Sequence, residues 1–404
     1  MGYANHSLWD WIQKTEQAAM EMGRWPEFWK TAFYLLILVY GLVILLTFQN
    51  YGFTADEQSH TRYGEALLKW YTSGFQNQDV FASKNTWLYG GLFDLSVTLI
   101  GHLLPLEPHD SRHLCNAFVG LLGIVAAYKM GELLGGSPAG FLSALFLLLT
   151  PRYYGHAFNN PKDIPFAVCY LWSLFYLIRT LRAFPDLNKN LIWKTGLTIG
   201  LALAVRVGGC VLIVYLSLFL FLKWLQEGRP NPIQTAQRAL FILFIAYLTM
   251  ILFWPWAQVH PLAGPWEAIH TFSSFPEIHY HLFDGRYIGS NETSRFYVLQ
   301  WILLTLTEFV FLGLIARLYT WFRKPHFDWT GQDLLAFSVL FPLGYALLVH
   351  IPFYDGLRHV LFVLPPVVIL SATGIVDLYR RIQSEMMRRG FCTLVGFLLV
   401  LTLW

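Results

Sequence analysis

The stretch TAFYLLILVYGLVILLTFQNYGFTADE, residues 31–57, sets the frame for the whole chain. Its first part carries no charge and is long enough for a helix to cross a hydrocarbon layer, which takes roughly 20 mostly apolar residues. In lipid an unpaired backbone amide has no water to turn to, so such a run closes its hydrogen bonds as a helix. About seven residues beyond its apolar end stand two carboxylates, Asp56 and Glu57. A spanning helix with an acidic pair just outside it is the unit from which the rest is read.

Runs of this kind recur. Hydrophobic residues make up 55% of the 404 positions and charged residues 13%, about half the roughly 25% of a soluble domain. The net charge of +3 gives no basis for nucleic-acid binding. Cys115, Cys169, Cys210 and Cys392 lie in or beside apolar runs without paired spacing, so they read as small packing residues. Asp10, Glu16, Glu21, Arg24 and Lys30 precede the first run, which argues against a cleavable signal. Leu8, Trp9, Trp11, Ile12, Trp25, Phe28 and Trp29 predict that residues 1–31 form a cytoplasmic interfacial segment ahead of a transmembrane domain over 32–404.

The apolar pattern predicts an all-α polytopic membrane protein of about eleven spans, near 32–49, 113–131, 138–151, 164–182, 191–205, 209–225, 239–256, 298–321, 333–350, 359–378 and from 391 to the end. The run 87–104, with Gly90, Gly91, Asp94 and His102, is near the lower limit for crossing. Loop charge decides its status. If it does not cross, Lys129, then Arg179, Arg182, Lys189 and Lys194, then Lys223, Arg229 and Arg238, then Arg317, Arg323 and Lys324, and finally Arg380, Arg381, Arg388 and Arg389 all share the cytoplasmic side. It is therefore expected to be a juxtamembrane or re-entrant helix in the first outer loop. The outer face then collects residues 50–112, 152–163, 206–208, 257–297 and 351–358. The last run, stopping at Trp404, reads as a chain cut short or lacking a C-terminal region.

The long outer loops hold the groups that carry chemistry. Asp56 can take a proton from an attacking hydroxyl or amine, or it can cap the next helix. Lys162 and Asp163 lie in Asn159–Phe166, at the mouth of the fourth span, where two prolines fix the turn or begin the helix. Arg358, in the polar turn His350–His359, can hold phosphate through its fork or snorkel to lipid headgroups. Arg206 adds to the same positive site. Glu277, His279, His281 and Asp284 form a cluster for acceptor contacts or, at alternate spacing, for a metal.

These residues resemble a known family. The Asp56-Glu57 pair, the Asn160–Phe166 stretch, Trp254-Pro255-Trp256 with His260-Pro261, Phe283-Asp284-Gly285, and Tyr354–His359 with Leu364-Pro365-Pro366 look like the polyprenyl-phosphate-sugar-dependent membrane glycosyltransferases of bacteria. These have the GT-C fold and are similar to protein O-mannosyltransferases and the aminoarabinose transferase of lipid A, the glycosyltransferase family 39 type. The resemblance covers about residues 30–380. It implies an inverting transfer of one sugar from a lipid-phosphate carrier to a lipid, glycan or protein acceptor, at the outer face of the bacterial inner membrane. On that mapping Asp56 is the general base, Glu57 supports it, and Asp163 orients the acceptor or assists a cation. Lys162, Arg206, Arg358 and His359 hold the carrier phosphate. No cofactor is required, and a divalent cation is admitted. A transporter or lipid flippase has similar hydropathy, but the chain has no internal repeat and its charges gather at one face. A non-catalytic subunit of an envelope complex is the third reading.

Overall fold

A computed structural model of the chain describes residues 26–82, 85–273, 278–323, 330–349, 351 and 353–403. Most of the expected interfacial segment 1–31, together with Glu277 and His350, lies outside the described residues.

The first span is α1 (Pro26–Thr47), 22 residues and so about 33 Å long, close to the hydrocarbon thickness. Its buried side chains, Phe33, Tyr40 and Ile44, fall on one stripe, where Phe33 stacks on Tyr128 at 3.9 Å. Two helices follow in the first long loop, α2 (Ala55–Thr72) and α3 (Leu92–Gly101). With ten residues, about 15 Å, α3 is too short to cross, in agreement with the loop charges.

Next come α4 (Pro108–Gly135), α5 (Ser137–Leu148), α6 (Pro151–Asn159), α7 (Asp163–Ala183), α8 (Lys189–Leu203), α9 (Cys210–Gln226) and α10 (Pro232–Leu252). Short helices α11 (Pro255–Val259) and α12 (Ala263–Ser273) lead to a hairpin of β1 (Tyr280–Phe283) and β2 (Arg286–Gly289), antiparallel with Leu282 opposite Tyr287. The remaining helices are α13 (Tyr297–Thr305), α14 (Glu308–Arg323), α15 (Gln332–Val349), α16 (Leu364–Arg381) and α17 (Glu385–Leu403).

Among the described residues, seven helices are long and apolar enough to cross a membrane, or eight if α13 and α14 form one broken span. The eleven expected spans are thus not all matched. The expected span 138–151 ends at Leu148, and α6 starts afresh at Pro151, whose nitrogen cannot continue a helical ladder. The expected span 298–321 is two helices bent by 110°. There the Thr305 hydroxyl donates back to the Trp301 carbonyl at 2.6 Å and Leu306 turns extended. Windowed hydropathy stays high across this point, and the only sign of the bend in the sequence is the short polar run Thr305, Thr307 and Glu308.

The spans α7 and α16 are the most enclosed. α16 packs on α14, α5 and α4. The α14–α16 contact is backbone to backbone: a Cβ on Gly374 would lie 2.3 Å from the Gly313 carbonyl oxygen, the close approach that small residues permit in membrane helices. At the end opposite the long loops, arginines close exposed carbonyls. Arg182 donates to Leu133 and Thr330 at 3.0 Å, and Arg380 to Gly135 at 2.9 Å.

Buried ions tie the loop helices to the bundle. Asp94 of α3 accepts from His60 Nδ1 of α2 at 2.8 Å and from the Arg112 guanidinium of α4, all three side chains being buried. Burial works to raise the Asp94 carboxyl pKa, but His60 and Arg112 outweigh it and hold the group below the usual carboxylate range.

Two outcomes follow for stability in detergent. Gly374→Ala should lower the thermal unfolding midpoint by an amount worth about 1–3 kcal/mol of overpacking, whereas Gly41→Ala, whose added methyl meets nothing within 4 Å, should not. Asp94→Asn should cost about 3–5 kcal/mol, because the buried Arg112 loses its counter-charge. Since the Asp94 pKa is depressed by folding, its stabilisation is full above the unfolded value of about 3.9 and is lost as pH falls below it. Melting curves from pH 6 to 3 should therefore drop more steeply for the wild type than for Asp94→Asn.

Candidate active site

The start of α2 is fixed by a capping box: Thr54 donates through its backbone nitrogen and its hydroxyl to Glu57 Oε1 at 2.9 and 2.8 Å. The second Glu57 oxygen receives His113 Nε2 of α4 at 2.9 Å. Both oxygens of Glu57 are thus engaged, and the side chain is buried. Asp56 is not the cap. One residue earlier, and so turned by about 100° around the helix, it points to a different set of partners with 31% of its side chain exposed.

Those partners, Lys162 and Arg358, come from two other segments, and a third segment joins them through Asp163. Asn160 Oδ1 accepts the backbone N–H of Asp163 at 2.9 Å, which caps the start of α7, and its amide donates to Asp163 Oδ2 at 3.0 Å. This fixes Lys162 and Asp163 side by side. Lys162 Nζ lies 3.1 Å from Asp56 Oδ2. Arg206, from the turn before α9, donates to Asp163 Oδ1. Arg358, opening the 3-10 turn Arg358–Val363, donates through Nη2 to Asp56, through Nε to Asp163 at 3.1 Å, and through Nη1 to Asp355 at 2.8 Å.

Five predicted residues, Asp56, Lys162, Asp163, Arg206 and Arg358, therefore form one cluster, with Asp355 as a sixth member. Three cations face three carboxylates. The Tyr89 ring lies beneath two of the cations, 4.9 Å from Lys162 Nζ and 5.9 Å from the Arg206 guanidinium carbon. Burial pushes the Asp56 carboxyl up, yet Lys162 and Arg358 more than offset this and keep it below its ordinary value. The group is a carboxylate at neutral pH.

The other candidates fall differently. Among the described residues Nε2 of His359 is buried without a hydrogen-bond partner, and its ring meets Tyr354 edge-on at 4.6 Å. His279 stacks on the same Tyr354 at 4.3 Å, so the third long loop reaches the site through an aromatic contact. His281 packs on Tyr297 instead. Asp284 and Gly285, with φ of +51° and +73°, form the exposed hairpin turn, the Asp-Gly pair favoured where both central residues are left-handed. Asp284 is an exposed turn residue. Among the described residues no three His, Cys, Asp or Glu side chains are arranged to hold a metal. Between the three carboxylates, where a divalent cation would bind, stands the Arg358 guanidinium.

Sequence reading missed Arg112, His113, Tyr89 and Arg152. The first two had a signal: polar side chains at the head of an apolar helix, where they must find partners. A cavity of about 90 Å³ opens between α2, α3 and α4, lined by Thr61, Glu65, Thr98, His102, Ser111 and Arg112 among others. None of the cluster residues lines it.

Residues 99–257 match the family described as dolichyl-phosphate-mannose-protein mannosyltransferase. That segment contains Lys162, Asp163 and Arg206, with Asp56 and Arg358 outside it. No curated protein matches the chain significantly in sequence. In structure the chain is similar to ArnT from Cupriavidus metallidurans bound to undecaprenyl phosphate, with a TM-score of 0.57 and 17% identity over 85% of this chain and 60% of that one. It is also similar to the archaeal oligosaccharyltransferase AglB from Archaeoglobus fulgidus in complex with an inhibitory peptide and a dolichol-phosphate, with a TM-score of 0.58 and 12% identity over 92% of this chain and 55% of that one. The chain spans only about 60% and 55% of these proteins' lengths. At such identities the likeness is one of fold: the chain has the GT-C fold of the polyprenyl-phosphate-dependent glycosyltransferases, as its motifs led one to expect.

Proposed function

We propose that the chain is an inverting glycosyltransferase that moves a sugar from a polyprenyl-phosphate carrier to an acceptor at the outer face of a bacterial cytoplasmic membrane. The observation that carries this reading is the cluster itself: a partly exposed carboxylate beside lysine and arginine at the loop end of an apolar bundle. A solved neighbour that binds undecaprenyl phosphate and another that binds dolichol-phosphate support the class of carrier. The placing of Asp56, Lys162, Asp163, Arg206 and Arg358 at helix ends and turns, and not in the middle of a span, disfavours the transporter reading.

In the reaction the acceptor oxygen or nitrogen attacks the anomeric carbon from the side opposite the phosphate. The bond from that carbon to the phosphate oxygen breaks, its electron pair leaves on the polyprenyl phosphate, and the acceptor proton passes to Asp56. Arg358 and Lys162 stabilise the charge that grows on the phosphate. Both hold Asp56 in the resting site and depress its basicity. Phosphate oxygens that compete for the same donors release the carboxylate, so donor binding raises the basicity of Asp56 toward that of a free aspartate. Asp163, 1% exposed and bonded to Arg206, Arg358 and Asn160, acts as a positioning residue for the two arginines. Glu57 positions Asp56 by fixing the helix start. Neither role needs a metal.

The test uses the purified protein with a radiolabelled polyprenyl-phosphate sugar and envelope acceptors. Asp56→Asn should keep donor binding and lose about 10²–10⁴ in kcat, and an unchanged rate would remove Asp56 as the base. Orientation is checked on intact cells after replacement of the four native cysteines. Tyr287→Cys in the hairpin should react with a membrane-impermeant maleimide, and Gln234→Cys at the start of α10 only after permeabilisation. Both positions are exposed, and the reverse labelling would overturn the outer-face assignment.

A further inference from the structure

The cluster is charge-neutral. Lys162 and Arg358 meet Asp56, Arg206 and Arg358 meet Asp163, and Arg358 also meets Asp355. A carrier-linked sugar brings one further negative charge as a phosphodiester. After transfer the carrier leaves as a monoester, whose second ionisation near pH 6 takes it toward −2 at neutral pH. Positive charge not already matched by a carboxylate is therefore what the site needs as the reaction proceeds.

Arg152 answers that need. It lies in the first turn of α6, half-buried, and its guanidinium sits over the Trp301 ring of α13 with its carbon 5.0 Å from the ring centroid. It also borders the turn that carries Arg358. A methyl built on Gly356, two residues before Arg358, would come 3.9 Å from Arg152 Nη2 and 3.7 Å from the Trp301 ring. Among the described residues no carboxylate lies within 4 Å of it, and no acceptor takes a hydrogen bond from it. An aromatic face orients a guanidinium without neutralising it, and the missing side chain at Gly356 keeps space open beside the fork. An arginine that merely snorkels to bulk headgroups has no use for such a seat.

We propose that Arg152 binds the phosphate of the polyprenyl carrier, beside Arg358, as the one cation of the site free of a carboxylate partner among the described residues. The assignment rests on the glycosyl-transfer reading above. Its chemistry is that of a planar, bidentate phosphate clamp, and it predicts that the residue matters most for holding donor and departing carrier, not for proton transfer.

The experiment measures binding of undecaprenyl phosphate and, separately, of phosphatidylglycerol to purified wild type, Arg152→Gln and Arg152→Lys in detergent. Arg152→Gln should bind undecaprenyl phosphate about tenfold more weakly, roughly the value of one charge-assisted contact. Arg152→Lys should fall between the two, and phosphatidylglycerol binding should be the same in all three. In the transfer assay Arg152→Gln should raise KM for the lipid-linked donor, in contrast to the kcat loss of Asp56→Asn. Melting without ligand shows whether the variants fold, and Trp301→Leu, which removes the seat but keeps the charge, gives a second route to the same weakening. Wild-type affinity in Arg152→Gln or in a folded Arg152→Lys overturns the inference and leaves the transfer reading standing. A parallel loss of phosphatidylglycerol makes Arg152 an ordinary headgroup contact and also overturns it. Failure of the wild type to bind undecaprenyl phosphate removes the transfer reading, and the inference with it.

Discussion

One guanidinium holds the site together. Arg358 reaches Asp56 across 302 residues of sequence, Asp163 across 195, and Asp355 across three. A fork of fixed geometry that donates in three directions demands three acceptors at set places, and these come from the start of α2, the start of α7 and a turn before α16. Every span between them must therefore be packed for the fork to close. The dependence also runs the other way, since the Arg358 side chain is only 16% exposed and so deep a cation is costly unless carboxylates meet its charge. The same logic recurs at Asp94, where His60 and Arg112 bring α2, α3 and α4 to one point.

Asp56 and Glu57 show how a helix divides labour between neighbours. They stand side by side in sequence and read as one acidic pair, but about 100° of helical turn separates their directions. Glu57 looks back to Thr54 and across to His113 and spends both oxygens on architecture. Asp56 looks toward Lys162 and Arg358 and keeps part of its surface open. Had the cap been Asp56 itself, the carboxylate would have been consumed by backbone amides. The capping box built on Thr54 is what leaves it available.

Much of this was legible in the sequence. Hydropathy and loop charge gave a polytopic helical protein with its long loops at one end, and kept residues 87–104 out of the bilayer count, where α3 is indeed short. Polar residues at helix mouths gave Asp56, Lys162, Asp163, Arg206 and Arg358. What escaped has a common cause: hydropathy averages over a window and is blind to backbone direction, so the 110° bend at Leu306 and the break before Pro151 were read as continuous spans. Pairing across the fold is equally invisible, which is why Arg112 passed as the last residue of the first outer loop, His113 as the first residue of an apolar span and Arg152 as a loop residue beside a proline. Asp284, read as an acceptor contact or a metal ligand, also carried a second signal, because Asp-Gly between two β-prone runs marks a hairpin turn, and that turn is what the pair forms.

The neutrality of the cluster constrains how a phosphate can enter it. Unpaired charges within the cluster would be poorly solvated, so the resting site stores Lys162, Arg206 and Arg358 against its own carboxylates, and only Arg152, seated on the Trp301 face, stands outside that set. A phosphate ligand can then bind strongly only by exchange, taking over donors that Asp56 held, or by engaging a cation outside the neutral set. On the proposed reading exchange has a chemical consequence: the carboxylate that loses Lys162 and Arg358 becomes more basic just when a donor sugar is in place, and stays a poor base when it is not. Acceptor activation is thereby tied to donor occupancy through charge alone, with no moving lid required. Arg152 sets how far that exchange must go, because each negative charge it meets on the phosphate is one that need not be met by breaking a pair to Asp56 or Asp163.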